Sequence, residues 1–314
     1  MRVAAIDVGS NGIKRSVAEV CRGGGLEVLD RGRFPMQIAA LLDRDGVIGC
    51  DGIARIAAAV AAQCGQARAY GVDRMAIVGT AAARESADRA ALQAAVEAAA
   101  GLPLVLVTGE QEAMLTWDAI QARHRPEGAA AMIDVGGGST EFVVASGTTS
   151  LQVASVPVGA IGLADRFAAE GAWSAELRLR LSAHVRTQVQ RSVPRPAEAP
   201  AEVYVTGGTV AALAMMNLGG VPLPSDRGPL LARIDGAPLE ASAVERWLGL
   251  LAASGCSERA ATFGIEPARA RILPAGCLIL QEALLWMRAD AACVNELGIR
   301  DGIMLRLAEG RPVS

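Results

Sequence analysis

Two stretches of the sequence place an aspartate and small polar residues around glycines, a combination suited to holding a phosphate. The stretch "MIDVGGGSTEFVV" (132–144) has Asp134 at the end of an apolar run, directly before the glycines. "AAIDVGSNGIKRSV" (4–17) is a weaker form of the same pattern. Glycines allow backbone amides to approach an anion, because no Cβ shields them and positive φ is accessible.

Each stretch predicts a β-hairpin whose turn donates hydrogen bonds to phosphate oxygens. The donors expected in the later stretch are Gly136, Gly137, Gly138, Ser139 and Thr140. Those expected in the earlier stretch are Gly9, Ser10 and Asn11. Asp134 is placed to orient Mg²⁺ or its water shell. An ordinary tight turn is the alternative for either stretch alone, and two such turns in one chain favour a two-lobed phosphate clamp.

Three further segments carry candidate residues. "VTGGTVAALA" (205–214) predicts a strand, a turn at Gly207, Gly208 and Thr209, and a helix whose N-terminus attracts anions. "GTAAARESADR" (79–89) offers Arg84, which either binds phosphate or pairs with Glu85 at a helix start. In "VTGEQEAML" (107–115), Glu110 or Glu112 either accepts a proton from an attacking water or simply favours the helix N-terminus.

The composition describes a globular protein without a global attraction for polyanions. Of 314 residues, 52% are hydrophobic, 20% are charged and 3% are aromatic, and the net charge is −3. Scarce aromatic side chains argue against single-stranded nucleic acid as a ligand. The six cysteines show no metal-ligand spacing and are expected to be reduced. The chain shows neither a signal pattern nor an apolar run of membrane length, so a cytoplasmic protein without a membrane partner is expected.

The order of predicted elements gives an α/β protein of two domains. Alternating strands and helices in the first part predict a mixed sheet covered by helices. The polar segment "HRPEGAA" (124–130) marks the boundary, so the domains are predicted as 1–123 and 124–314. The second half restarts with three predicted strands over 129–159 and a long helical region from about 160 to 192. The echo of "IDVGSNG" in "IDVGGGST" predicts two domains of one design, facing each other across a cleft.

The ordered set "IDVGSNG", "GTAAARE", "TGEQEA", "IDVGGGSTEF", "VPVGAIGLADRF", "VTGGTVAALA" and "NELGIRDGIM" resembles the exopolyphosphatase and guanosine pentaphosphate phosphatase (Ppx/GppA) family in its short two-domain form. The set spans residues 5 to about 305. The resemblance implies two ribonuclease H-like domains of the actin, Hsp70 and sugar-kinase (ASKHA) superfamily. It also implies Mg²⁺-assisted attack of water on the terminal phosphoanhydride of inorganic polyphosphate or of pppGpp.

The resemblance also assigns roles to residues. It implies phosphate binding by both glycine turns and by Arg84, with Lys14 standing where the family has an arginine. Glu112 is favoured as the catalytic glutamate, and Glu110 is the fallback. The metal ligands expected are Asp7, Asp134 and Glu141. A homodimer is expected, with the alanine-rich helices of the second half as the contact face.

Several departures from the family pattern bear on activity. Arg15 replaces an apolar residue, the Arg-Leu-Gly segment is not visible in "FPMQIAALLDRDGVI", Ala81–Ala83 displace a serine, and Arg271 stands in place of an aspartate. The alternative hypothesis is therefore a weakly active or inactive sensor that binds polyphosphate or (p)ppGpp. A kinase-like or Hsp70-like ATPase is a third reading, disfavoured because few segments remain for an adenosine pocket.

Overall fold

The computed structural model describes residues 1–23, 25–146, 150–167, 171–219 and 233–314. The chain folds into two compact units: unit 1 comprises Met1–Arg123 and Leu297–Ser314, and unit 2 comprises His124–Glu296. The first crossing between the units coincides with the predicted boundary after residue 123. The predicted second domain, 124–314, differs from unit 2 at its end, because the chain returns to unit 1 at Leu297.

Unit 1 is built on a five-stranded mixed sheet. Its strands are β1 (Arg2–Gly9), β2 (Gly12–Val20), β3 (Leu26–Phe34), β4 (Arg74–Gly79) and β5 (Leu104–Leu106). They lie in the order β3-β2-β1-β4-β5, with β1, β2 and β3 antiparallel and with β4 parallel to both β1 and β5. Short hairpins join the antiparallel strands, whereas the parallel connections contain helices, as parallel pairing requires.

Helices cover both faces of this sheet. They are α1 (Cys50–Arg68), α2 (Ala81–Glu85), α3 (Arg89–Ala100), α4 (Gly109–His124) and, after the chain has passed through unit 2, α11 (Ile299–Glu309). Side chains of β1 alternate between the faces. Ile6 and Val8 belong to a core that includes residues of α1 and α3, and Val3 and Ala5 to one that includes Leu115 of α4. Asp7 has the same parity as Val3 and Ala5.

The C-terminal helix α11 packs directly on α4, which explains its place in unit 1. A Cβ at Gly302 would lie 1.8 Å from the carbonyl oxygen of Leu115, so only glycine permits this backbone contact. Arg306 Nε donates to Asp118 Oδ2 at 2.7 Å. The contacts join residues far apart in sequence, and no local pattern in the sequence predicted them.

Unit 2 repeats the topology of unit 1 with one added edge strand. Its strands are β6 (Ala130–Val135), β7 (Thr140–Ser146), β8 (Ser150–Val156), β9 (Glu202–Thr206), β10 (Pro238–Glu240) and β11 (Ala291–Val294). They lie in the order β10-β11-β9-β6-β7-β8. The run β8-β7-β6-β9-β11 has the order and directions of β3-β2-β1-β4-β5, with β10 antiparallel at the edge. The predicted repeat of one α/β design is confirmed.

The helices of unit 2 are α5 (Ala160–Arg166), α6 (Ala175–Ser192), α7 (Gly208–Asn217), α8 (Ala241–Ala252), α9 (Cys256–Phe263) and α10 (Pro267–Met287). The helical region predicted from about 160 to 192 is therefore divided into α5 and α6, and its residues 168–170 lie outside the described chain. Residues 147–149 of the predicted strands lie outside it too. Helix α10 is long and apolar enough to span a membrane, but 78% of its most apolar window is buried, as in a core helix.

Candidate functional site

The first glycine turn of unit 1 closes the β1–β2 hairpin in two residues. Gly9 and Gly12 are the last pair of the ladder, and Ser10 and Asn11 form the turn. The carbonyl oxygen of Ser10 accepts a hydrogen bond from the amide of Ala39 at 3.1 Å, which fixes the turn to the following loop. Gly12 has φ +150°, and a Cβ there would lie 2.9 Å from the carbonyl oxygen of Phe34. Glycine is thus required for this close approach of β2 and β3.

A row of charged side chains crosses three strands of unit 1 beside this turn. Asp7 pairs with Lys14 in the β1–β2 ladder, and Lys14 pairs with Arg33 in the β2–β3 ladder. Directly paired residues share one face of a sheet, so all three side chains lie on the same face. Lys14 Nζ lies 3.6 Å from Oδ2 of Asp7, whose residue is 3% exposed. The predicted metal ligand Asp7 therefore has a cation beside it and no second carboxylate in its row.

Arg84 and Glu112, predicted from separate motifs, meet in unit 1. Arg84 Nη1 donates to the carbonyl oxygen of Val107 at 2.9 Å and lies 4.0 Å from Glu112 Oε2. Its Nη2 lies 3.3 Å from Glu85 Oε1, so the alternative pairing with Glu85 is present as well. The arrangement places a carboxylate next to a guanidinium. In phosphoryl transfer, a carboxylate can orient the attacking group and an arginine can stabilise the charge of the transition state.

The first turn of α4 distinguishes the two candidate glutamates. Gln111 Oε1 accepts from the amide of Thr108 at 2.8 Å, and Thr108 Oγ1 accepts from the amide of Gln111 at 3.2 Å. These two reciprocal hydrogen bonds cap the start of the helix. The side chain of Glu112 is 16% exposed, whereas Glu110 points into solvent. The structure therefore supports Glu112 over Glu110 as the residue that belongs to the Arg84 site.

Unit 2 carries the equivalent row with the opposite charge. Asp134 pairs with Glu141 in the β6–β7 ladder, and Glu141 pairs with Ser155 in the β7–β8 ladder. Glu141 is 1% exposed, and its Oε1 accepts from Ser155 Oγ at 2.9 Å. The positions held by Lys14 and Arg33 in unit 1 are thus held by Glu141 and Ser155. Unit 1 presents cations next to its aspartate, and unit 2 presents a second carboxylate.

This carboxylate pair suits a magnesium ion that also binds substrate. Within the described ranges, no group of three or more His, Cys, Asp and Glu side chains could hold a metal ion. Mg²⁺ is commonly bound by one or two carboxylates together with substrate phosphates and water, so an all-protein cage is not required. The donor set of Asp134 and Glu141 fits that mode.

The glycine-rich loop of unit 2 is held by the N-terminus of α5. The amide of Gly136 donates to the carbonyl oxygen of Ser139 at 3.0 Å. The carbonyl oxygens of Gly136 and Gly137 accept from the amides of Ala160 and Ile161 at 3.0 and 2.9 Å. The loop is therefore fixed through its carbonyl groups. Because the amide of Gly136 is used within the loop, the prediction that this amide donates to phosphate needs correction.

The side chains of two residues predicted to bind phosphate, Thr140 and Thr209, are buried. Thr140 Oγ1 donates to the carbonyl oxygen of Val158 at 2.6 Å, and its residue is fully buried. Since a hydroxyl group has one proton, Thr140 is removed from the phosphate donors. Thr209 is 1% exposed and packs against helix α10, where a Cβ at Gly276 would meet its Oγ1. Both side chains serve the packing of unit 2. The prediction for the Thr140 hydroxyl group is therefore corrected, and the prediction for the loop at Thr209 concerns its backbone amides.

The loop at Gly207 and Gly208 lies against the glycine-rich loop that follows Asp134. Gly207 has φ +104°, and a Cβ there would lie 2.5 Å from the carbonyl oxygen of Val135 and 3.0 Å from Asp134 Oδ1. A Cβ at Gly208 would lie 2.7 Å from a guanidinium nitrogen of Arg269. The loop therefore lies beside Asp134 and has a cation at the start of α7. Arg269 belongs to none of the sequence motifs, and only its proximity to Gly208 identifies it.

Gly159, the residue directly before α5, packs closely against the backbone of the glycine-rich loop. A Cβ there would lie 2.3 Å from the carbonyl oxygen of Gly137 and 2.5 Å from the carbonyl carbon of Gly138. These are backbone atoms, so rotation of a side chain cannot relieve the overlap. The close packing presses the N-terminus of α5 onto the loop.

We expect Gly159→Ala to lower the free energy of unfolding by about 1–3 kcal/mol, as overpacking does, and to impair any anion binding by the loop. The matched control is Gly162→Ala in α5, because no atom lies within 4 Å of the added Cβ. Thermal and urea unfolding of both variants measure the difference. Equal stability of the two variants would contradict the packing described here.

Two departures in the sequence have partners that explain them. Arg15, next to Lys14 in β2, faces the opposite side of the sheet, where its Nε donates to Asp30 Oδ2 at 2.8 Å and its Nη1 to Gln63 Oε1 at 2.7 Å. Gly32 makes room for its guanidinium group. Arg271 pairs with Asp165 of α5. Arg15 therefore lies on the opposite face of the sheet from Asp7 and Lys14.

Comparison with known proteins gives a consistent result. The profile of the Ppx/GppA phosphatase family matches residues 16–310. An uncharacterized protein of Streptomyces coelicolor is 30% identical over 99% of this chain and 92% of its own length. Exopolyphosphatase 2 of Mycobacterium tuberculosis is 28% identical over 98% of each chain.

Solved structures show the same fold. A Ppx/GppA family member of Aquifex aeolicus superposes with a TM-score of 0.85 at 23% identity, covering 99% of this chain and 98% of its own. An exopolyphosphatase of Cytophaga hutchinsonii superposes with a TM-score of 0.87 at 19% identity over 100% of each chain. With two α/β units of one topology, three glycine loops and the family match across nearly all of its length, this chain belongs to the Ppx/GppA phosphatase family.

Proposed function

We propose that this protein is a Mg²⁺-dependent exopolyphosphatase that releases orthophosphate from the end of inorganic polyphosphate. The observation that supports it most is the meeting of Arg84 and Glu112, which lie 4.0 Å apart in unit 1 although their motifs are separate in the sequence. Family membership gives the phosphatase class, and the substrate and the roles of the residues are the proposal. Polyphosphate is ranked above pppGpp by likeness to relatives named exopolyphosphatases.

In the proposed reaction, Glu112 orients a water molecule and accepts its proton as the water oxygen attacks the terminal phosphorus. The bridging P–O bond breaks, orthophosphate leaves, and the chain is one phosphate shorter. Arg84 and the glycine-loop amides bind phosphate oxygens and stabilise the charge of the transition state. A Mg²⁺ ion bound at Asp134 and Glu141 of unit 2 would offset negative charge of the polyphosphate chain.

The direct test is phosphate release from long-chain polyphosphate, with pppGpp and ATP in parallel, in Mg²⁺ and in EDTA. We expect release from polyphosphate that EDTA abolishes. Phosphate release from pppGpp and not from polyphosphate would show that pppGpp is the substrate. ATP-dependent phosphorylation of an added acceptor would instead point to a kinase on the same fold.

The second candidate function is a sensor that binds polyphosphate or (p)ppGpp and turns it over weakly. It is motivated by the departures from the family pattern near residues 12–16 and 35–40. The departure at Arg15 is weak support for the sensor hypothesis, because Arg15 binds Asp30 and Gln63. It therefore lies on the opposite face of the sheet from Asp7 and Lys14. Tight binding by calorimetry together with negligible phosphate release would establish the sensor.

The proposal also includes a cytoplasmic location and a homodimeric state. All six cysteines are free thiols, as expected in a reducing compartment. Leu179, Leu250 and Leu285 are exposed apolar residues on the helices of unit 2, where the dimer face is expected. Light scattering of the purified protein measures the mass directly.

A further inference from the structure

Arg33 is an arginine of β3 that neither the sequence motifs nor the family comparison assigned to the site. We infer that Arg33 positions the substrate by donating a hydrogen bond to a phosphate oxygen beside the turn from Gly9 to Gly12. The inference rests on the proposed function, because the anion it requires is a phosphate of the condensed substrate.

The register of the sheet places Arg33 next to the turn. Arg33 pairs with Lys14, and Lys14 pairs with Asp7, so its side chain lies on the same face as both. Its Nε lies 3.7 Å from the position of a Cβ at Gly12, the last residue of the turn. A side chain at Gly12 would thus occupy space next to the guanidinium group.

The hydrogen bonding of Arg33 differs from that of the other arginines on this sheet. Its Nε is buried and has no hydrogen-bond partner in the part of the chain that the structure describes. By contrast, Arg31 Nη2 of β3 donates to Asp301 Oδ1 at 2.9 Å, and Arg15 Nε of β2 donates to Asp30 Oδ2 at 2.8 Å. A buried donor left unsatisfied is unfavourable, and a phosphate oxygen would satisfy it with a charge-assisted hydrogen bond.

The charges of the row favour an anion. Asp7 is matched by Lys14 at 3.6 Å, so the guanidinium group of Arg33 is left as the surplus positive charge among these three side chains. The equivalent row of unit 2 ends in Ser155 and contains Glu141 at the place of Lys14. The same topology therefore presents an anion-binding row in unit 1 and a cation-binding row in unit 2.

The test compares Arg33→Gln and Arg33→Lys with Arg22→Gln, which removes the same charge from the exposed turn at the other end of the β2–β3 hairpin. We expect Arg33→Gln to raise KM for polyphosphate about ten- to a hundredfold, as loss of a hydrogen bond to a charged group does, with kcat changed much less. Arg33→Lys should recover part of the loss, and Arg22→Gln should behave as wild type. The same variants made in a Glu112→Gln background report the Kd for polyphosphate without turnover.

The outcomes separate the inference from the function on which it rests. Absence of phosphate release by the wild type overturns the proposed function, while the Kd values still test Arg33. Equal KM and Kd for Arg33→Gln and Arg22→Gln overturn the inference. Should Arg33→Gln unfold, Arg33→Lys decides, because lysine keeps the charge but lacks the Nε donor. A phosphate contact through Nε raises the Kd for polyphosphate in Arg33→Lys, and a Kd equal to that of the wild type overturns the inference.

Discussion

Replacing Glu112 by glutamine should lower kcat for phosphate release from polyphosphate by about 10²–10⁴-fold, the range for loss of a general base. Glutamine keeps the size of the side chain and places an amide oxygen near Arg84, but it cannot take a proton from water. The Kd for polyphosphate should therefore stay close to that of the wild type. Phosphate release and calorimetry on the same preparation measure both quantities.

Two companion variants make this result specific. Glu97→Gln changes an exposed glutamate of α3 and should leave kcat unchanged. Glu110→Gln separates the two glutamates at the start of α4: if it, and not Glu112→Gln, removes turnover, Glu110 is the base despite its exposure. Loss of binding and turnover together in Glu112→Gln would mean that the residue holds the site together, and the proposed role would fail.

Replacing Asp134 by asparagine should reduce Mg²⁺-dependent activity at least about a hundredfold, since the metal is expected to supply several kcal/mol of charge stabilisation. The carboxylate lies in register with the buried Glu141 and 3.0 Å from the Cβ position of Gly207, so its loss removes half of the donor pair at the junction of two glycine loops. Part of the activity should return at higher Mg²⁺ concentration. A titration of activity against Mg²⁺ gives the shift in half-saturation.

Metal binding can be followed without turnover. Mn²⁺ substituted for Mg²⁺ gives an electron paramagnetic resonance signal that broadens on binding, and Asp134→Asn should weaken that binding in the presence of polyphosphate. Glu198→Gln, a change at an exposed acid of unit 2, is the control. An unchanged Mn²⁺ affinity and an unchanged Mg²⁺ titration in Asp134→Asn would exclude this residue as a ligand.

Much of the chemistry was predictable because it resides in short-range patterns. A hairpin needs only two strand-forming runs and a glycine turn, so "IDVGSNG" and "IDVGGGST" predicted both hairpins and the repeat. The spacing also contains the register: Asp134 and Glu141 are seven residues apart around the turn, as are Asp7 and Lys14, and both pairs face each other in the ladders. The sequence itself therefore determined two α/β units, their glycine turns, and the pairing of Asp7 with Lys14 and of Asp134 with Glu141.

The tertiary structure decided which candidate side chains are at the site, because burial and long-range pairing are not local properties. Glu110 and Glu112 both lie in the first turn of α4, and only the packing of that helix places Glu112 beside Arg84. The sequence predicts Thr140 as a phosphate donor, but its hydroxyl group donates to the carbonyl oxygen of Val158. The sequence also assigns residues 297–314 to the second domain, but Gly302 packs against Leu115 in unit 1. Arg33 belongs to no motif; cross-strand register places it in line with Lys14 and Asp7, next to the first glycine turn.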